Sequence, residues 1–210
     1  MNPLNEYQVN DLLDAVKDHR FYNLFHLAVN TGMRRSELLG LQWKDVDHLN
    51  IYVTRVLHHN KGGEIVIEEP KTKQSKRRLD IDPATALELH KYRQWKEANG
   101  SVCKDDDLIF MDLDGKLFSP SSVYRTFKNT LSKLGIDDVR FHDLRHTHAS
   151  LMLKQNTNPK IIQERLGHSS TMITMDTYGH LMPNMQKDAV LNFADLLKQA
   201  REEWSIESVG

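Results

Sequence analysis

The chain has 210 residues, with 28 Lys and Arg against 29 Asp and Glu, 39% hydrophobic and 27% charged. It is long enough to bury a real core in one domain and ordinary in composition for a soluble globular protein, while a net charge of −1 excludes a surface that is basic all over. No apolar run approaches the ~20 residues that span a membrane, the first residues lack a signal peptide's basic and apolar regions, and the single Cys103 excludes an internal disulfide; a cytoplasmic protein is expected.

Asn5 is placed to cap a first helix running to about residue 19, with Val9, Leu12, Leu13 and Val16 as its apolar stripe. A second helix is expected over residues 21–30, stopping at Gly32, and a short third from Ser36. The period then changes: Ile51 to Leu57 and Glu64 to Ile67 are rich in β formers and flank the turn signal Asn60-Lys61-Gly62-Gly63. A third strand near residues 78–81 completes a small three-stranded antiparallel sheet. Pro83 opens a helix to about residue 99. Helices follow over residues 121–134, 143–154, 159–166, 171–176 and 185–204. The fold expected is mainly α with that small sheet (α+β), in one domain without repeats or linkers.

The chemistry gathers in Phe141-His142-Asp143-Leu144-Arg145-His146-Thr147, followed by Leu166-Gly167-His168 and Tyr178. On a helical wheel His142, Arg145, His146 and Ala149 fall within roughly a 100° sector, opposite Leu144, His148, Leu151 and Met152. One face therefore reads as core and the other as polar and aimed at a ligand. Arginine suits phosphate because its planar fork gives two parallel hydrogen bonds. His142 and His146 also stand at i, i+4, a spacing that suits zinc, but Arg145 beside them on the same face would repel a cation. Thr31-Gly32-Met33-Arg34-Arg35-Ser36-Glu37 puts a second arginine at a helix start, where backbone N–H groups favour an anion. The plain reading of Arg34 and Glu37 is a surface ion pair. Lys71-Thr72-Lys73-Gln74-Ser75-Lys76-Arg77-Arg78 holds five cations in eight residues. It reads either as a solvated edge or as a loop that meets a DNA backbone. Tyr178 is by default a packing residue; as a nucleophile it would cost ~4 kcal/mol to ionise at pH 7.

Together the Arg34 box, Pro70-Lys71-Thr72-Lys73, the His142–Arg145 box, Leu166-Gly167-His168-Ser169-Ser170 and Asp176-Thr177-Tyr178-Gly179-His180-Leu181 resemble the tyrosine recombinases of the phage integrase family. The match in order and spacing spans about 180 residues, and phage and conjugative-transposon integrases look most alike. The resemblance implies the catalytic-domain fold of that family and a site-specific recombinase that breaks and rejoins DNA through a 3′-phosphotyrosyl intermediate. Arg34 and Arg145 would hold the scissile phosphate, Tyr178 would attack it, and Lys71 (or Lys73) would be the general acid. His142 would assist proton transfer, His168 would hydrogen-bond the phosphate, and Glu37 would support. Arg35, Lys73, Lys76, Arg77 and Arg78 would contact DNA. No cofactor, metal or ATP is implied.

Residues 1–182 are expected to form the catalytic core and residues 183–210 a C-terminal helix and tail. The resemblance implies core-binding and arm-binding domains that usually precede this domain, and these are expected to be absent from this chain. The partner would be double-stranded DNA at attachment-type sites, with a tetramer on DNA and a monomer or weak dimer off it. Val190, Phe193, Leu197, Ala200 and Trp204 form an apolar stripe that must be covered, by the chain's own core or by a neighbouring protomer. The alternative is a catalytically silent DNA-binding remnant or helix-turn-helix regulator, for which Thr171-Met172-Ile173-Thr174 offers few base-reading side chains.

Overall fold

The computed structural model describes residues 2–59, 64–70, 72–172 and 185–207. Tyr178, Lys71, the 60–63 turn, and all but the first two residues of the helix expected over 171–176 lie outside the described residues, as does the side chain of Lys73. The helices are α1 (Glu6–Ala15), α2 (Tyr22–Thr31), α3 (Arg35–Leu39), α4 (Pro83–Ala98), α5 (Pro120–Lys133), α6 (Asp143–Lys154), α7 (Pro159–Leu166) and α8 (Met185–Glu207). The strands are β1 (Val46–Asp47), β2 (Asn50–Val53), β3 (Val56–His59), β4 (Ile65–Glu68) and β5 (Arg77–Asp80).

Local chemistry accounts for most boundaries. Asn5 caps α1 by accepting from the Gln8 N–H, and Gln8 returns the bond to the Asn5 N–H. Asp82 accepts from Ala84 and Thr85 ahead of α4, with Pro83 at the first helical position. Asn158 does the same for α7 through Lys160. α1 stops at Ala15, short of the expected residue 19. Val16 is its last core-facing side chain, the polar run 17–20 has nothing to bury, and the chain turns so that Phe21 enters the core. α2 is central and apolar nearly all round, packing on α4 and α6.

The sheet differs from expectation. The run from Ile51 to Leu57 is not one strand but two, broken at Thr54 and Arg55. Both donate to the buried carboxylate of Asp45, which pulls the chain out of the ladder. The three-stranded antiparallel sheet is therefore β1-β2-β5, with Ile51 opposite Leu79 and Val53 opposite Arg77. β3 and β4 form a separate ribbon, with Val56 opposite Glu68 and His59 opposite Ile65. The basic run connects ribbon to sheet through a 3₁₀ turn over Lys73–Ser75, where the Thr72 and Ser75 hydroxyls are 2.8 Å apart.

One core cluster joins α1, α2, the sheet, α4 and α5, and includes Phe25, Phe127 and Phe141 in mutual ring contact. A smaller one, Ala149, Leu153, Ile162 and Leu166, lies between α6 and α7. Cys103 is a buried free thiol whose pKa burial pushes up. On α8 the apolar stripe is largely exposed among the described residues: Val190, Phe193 and Trp204 are 63%, 62% and 76% exposed. Among the described residues no helix is long and apolar enough to cross a membrane.

Candidate active site

Gly32 ends α2 at φ 65°, a left-handed conformation open to glycine at little cost. A Cβ there would stand 2.8 Å from side-chain atoms of both His148 and Leu166. α2, α6 and α7 therefore meet almost backbone to side chain, and the meeting point fixes Arg145. Its guanidinium donates to the carbonyls of Gly32 and Leu166, and the residue is 3% exposed. The polar face expected on α6 is thus mostly enclosed. Arg145, His146 and Ala149 are all buried, because the neighbouring helix ends close over them.

Two residues past Gly32, Arg34 precedes α3, and its side chain is about one-third exposed. Its Nη1 donates to Glu37 at 2.9 Å and its backbone N–H to the other carboxylate oxygen at 2.8 Å. This is not the surface pair that the spacing suggests. Glu37 is 1% exposed and also receives both terminal nitrogens of Arg77 at 3.0 Å. Burial alone would raise the Glu37 pKa, but the hydrogen bonds and charge of Arg77, with those of Arg34, outweigh it and hold the carboxyl below its usual value.

Arg34, Arg35, Tyr124, Arg140, His142 and Arg145 line a cleft of about 620 Å³. A second cleft, about 350 Å³, is lined by Arg34 together with Ser36, Glu37, Pro70 and Ser75, so Pro70 before the basic run and Ser75 within it share a cleft with Arg34. The His142 and His146 rings stand edge to face, 5.1 Å apart. Burial, then the charges of Arg145 and Arg34, lower the His142 pKa. Burial followed by His142 takes His146 to about 4. For His168, burial and then Arg145 and Arg34 have the same effect, again to about 4. Gln163 grips the His168 backbone at both ends, accepting its N–H at 3.1 Å and donating to its carbonyl at 2.7 Å. The shifts favour the neutral form of all three imidazoles, so the positive charge of the site rests mainly with its arginines.

The structure thus brings together Arg34, Glu37, His142, Arg145 and His168 from separate parts of the chain, and places Arg35 exposed on the cleft. Lys76 and Arg78 are exposed and paired with Glu69 and Asp80. Arg77 contradicts its reading as a DNA contact. Its side chain is 6% exposed and turned inward onto Glu37, because it shares the inner face of β5 with Leu79. Arg140 and Tyr124 were not singled out by sequence. Arg140 adjoins the His142 box and pairs with Asp143, an available signal, whereas Tyr124 had none. Among the described residues no group of three or more His, Cys, Asp or Glu could hold a metal ion.

Residues 2–185 match the model of the phage integrase family. The chain belongs to that family. A XerC-like tyrosine recombinase of Caldanaerobacter subterraneus subsp. tengcongensis is 32% identical over 209 residues, covering 91% of this chain and 54% of that protein. The ICEBs1 integrase of Bacillus subtilis is 34% identical over 188 residues, covering 84% and 49%. This integrase-family chain therefore spans about half the length of the curated relatives it matches. Among solved structures, the Tn1549 transposon integrase with circular intermediate DNA superposes with a TM-score of 0.77 at 22% identity, covering 91% of this chain and 67% of that one. The catalytic domain of bacteriophage HP1 integrase superposes at 0.60 and 23% identity, covering 90% and 94%. Both likenesses concern the fold, which is mainly helical with a small antiparallel sheet, as expected.

Proposed function

We propose that this chain is the catalytic domain of a site-specific tyrosine recombinase that cleaves and rejoins double-stranded DNA at attachment-type sites. The observation that carries the reading is the convergence of Arg34, His142 and Arg145 from two separate chain segments on one cleft, with His168 from a third close enough to feel the charges of both arginines. Two guanidinium groups, one fixed by Glu37 and one by two carbonyls, provide preorganised charge where a phosphorane becomes more negative. The DNA-bound Tn1549 integrase supports the partner.

In this mechanism the Tyr178 oxygen bonds to the scissile phosphorus and the bond to the 5′ oxygen breaks, leaving a 3′-phosphotyrosyl link. The phenolic proton passes to His142, whose neutral state at pH 7 suits it as acceptor. Lys71 donates to the leaving 5′ oxygen; it follows Pro70, which shares a cleft with Arg34. His168 donates a hydrogen bond to the phosphate. Reversal on a partner strand conserves the bond energy, so the step itself consumes neither ATP nor metal. Lys76, Arg78, Arg35 and Lys73 contact the DNA backbone, and on DNA four copies assemble, with the exposed stripe of α8 docking on a neighbour.

The test is covalent capture. A pool of nicked duplexes, randomised across the recognition segment, is incubated with the chain, and adducts are recovered on denaturing gels. Adducts that disappear in Tyr178→Phe, with DNA binding kept, support the reading. DNA binding without any adduct identifies the silent DNA-binding alternative.

A further inference from the structure

Arg77 stands where three parts of the site meet. Its two terminal nitrogens take both oxygens of Glu37 in a fork-to-fork pair, each at 3.0 Å. Nη1 also reaches the Ser75 carbonyl at 3.1 Å, in the turn within the basic run. Its Nε donates to the Arg165 carbonyl in the last turn of α7. The next carbonyl along, that of Leu166, is one of the two that hold Arg145. Gly167 follows, where a Cβ would lie 2.8 Å from the Gln74 carbonyl oxygen and 3.2 Å from Arg77 atoms, and then His168. A guanidinium needed only to neutralise Glu37 would not also bind two carbonyls on separate segments.

We propose that Arg77 is a positioning residue for the phosphate-binding cluster. It orients Arg34 through Glu37, and through the Arg165 carbonyl it fixes the end of α7 that holds Arg145 and carries His168. The inference rests on the proposed function of that cluster and deepens it. Groups from distant segments share one support, so loosening that support displaces them together, and small displacements of such groups cost about 10²-fold in rate. Lysine cannot substitute, since one ammonium cannot grip a carboxylate as a fork and reach two carbonyls as well.

Two variants test this. Arg77→Lys keeps a cation beside Glu37, so the buried carboxylate is not stranded. Glu37→Gln cuts the arm to Arg34 and leaves the arm to α7. Guanidinium Nε–H resonances of Arg34 and Arg145, assigned through Arg34→Lys and Arg145→Lys, report positioning without any need for cleavage. Arg77→Lys is expected to broaden both resonances and slow adduct formation roughly 10–100-fold at saturating DNA, with affinity changed less than about threefold. Glu37→Gln is expected to broaden Arg34 and leave Arg145 sharp. The double variant Arg34→Gln/Arg77→Lys should cleave more slowly than Arg34→Gln alone, because the arm to α7 is then loosened as well, but by less than the product of the two single effects, because the arm to Arg34 is already lost. Sharp Arg34 signals in both variants overturn the proposal, as does weaker DNA binding with a smaller salt slope and a normal cleavage rate. If the wild-type chain forms no adduct with any duplex, the recombinase reading falls, and the Arg34 resonance still decides the role of Arg77.

Discussion

The wedge formed by α2, α6 and α7 and the C-terminal α8 are opposite solutions within one chain. In the wedge even ionisable groups are enclosed: Arg145 and His148, like Glu37 on the adjoining α3, are nearly inaccessible, and each is held by named partners. On α8 the pattern inverts, with large apolar side chains left in solvent. The wedge is complete before any substrate arrives. α8 offers an apolar stripe that the proposed assembly would cover. The contrast separates two costs: changes in the wedge should affect rate and stability, whereas changes on α8 should affect assembly.

The largest effect is expected from Arg145→Lys, which keeps the charge but loses paired hydrogen bonds. Adduct formation should fall by about 10² or more while DNA affinity moves far less; a near wild-type rate in single-turnover assays would break the assignment. Acid comes next. His148 is buried, donates its Nδ1–H to the Val29 carbonyl, and has its pKa lowered to about 4 by burial and by Arg165. The unfolded chain takes up this proton near pH 6.5 and the folded chain only near 4. The stabilisation is therefore intact above about pH 6.5 and lost as pH falls toward 4, by about 3 kcal/mol. Urea unfolding at several pH values should show that slope, and His148→Gln should reduce it, leaving the part that His146 and His168 contribute in the same window.

Much of this was legible in the sequence, and the remainder was hidden for physical reasons. Caps at Asn5, Asp82 and Asn158 and the glycine stop at Gly32 depend on local chemistry, which a reader of sequence can follow. The chemical boxes were legible because side-chain type and spacing carry them. The break between β2 and β3 was not, because it is made by Asp45, about ten residues away. The enclosure of α6 was not, because its own composition is polar and the cover comes from Gly32 and Leu166. Arg77 was legible in principle: it alternates with Leu79 on β5, while Arg78 and Asp80 face outward. The run of neighbouring cations obscured that alternation.

Two smaller effects sharpen the contrast. Gly32→Ala should destabilise by about 2 kcal/mol, since alanine is strained at this φ and its Cβ meets His148 and Leu166; a thermal melt measures it. Phe193→Asp should shift stability by less than about 0.5 kcal/mol, because the side chain is already in water. Light scattering on captured DNA should nonetheless show the variant failing to form the higher assembly. Normal assembly of Phe193→Asp would mean that α8 is not the docking element.

Cys103 makes that last question measurable in real time. Its thiol is sheltered and stays protonated at neutral pH, so thiol-reactive dyes should pass it by. A cysteine introduced at an exposed α8 position such as Leu191 would then be the one site labelled, and the native chain needs no prior removal of its own thiol. Mixed donor- and acceptor-labelled populations would report subunit exchange by energy transfer, in a protein otherwise left as it is.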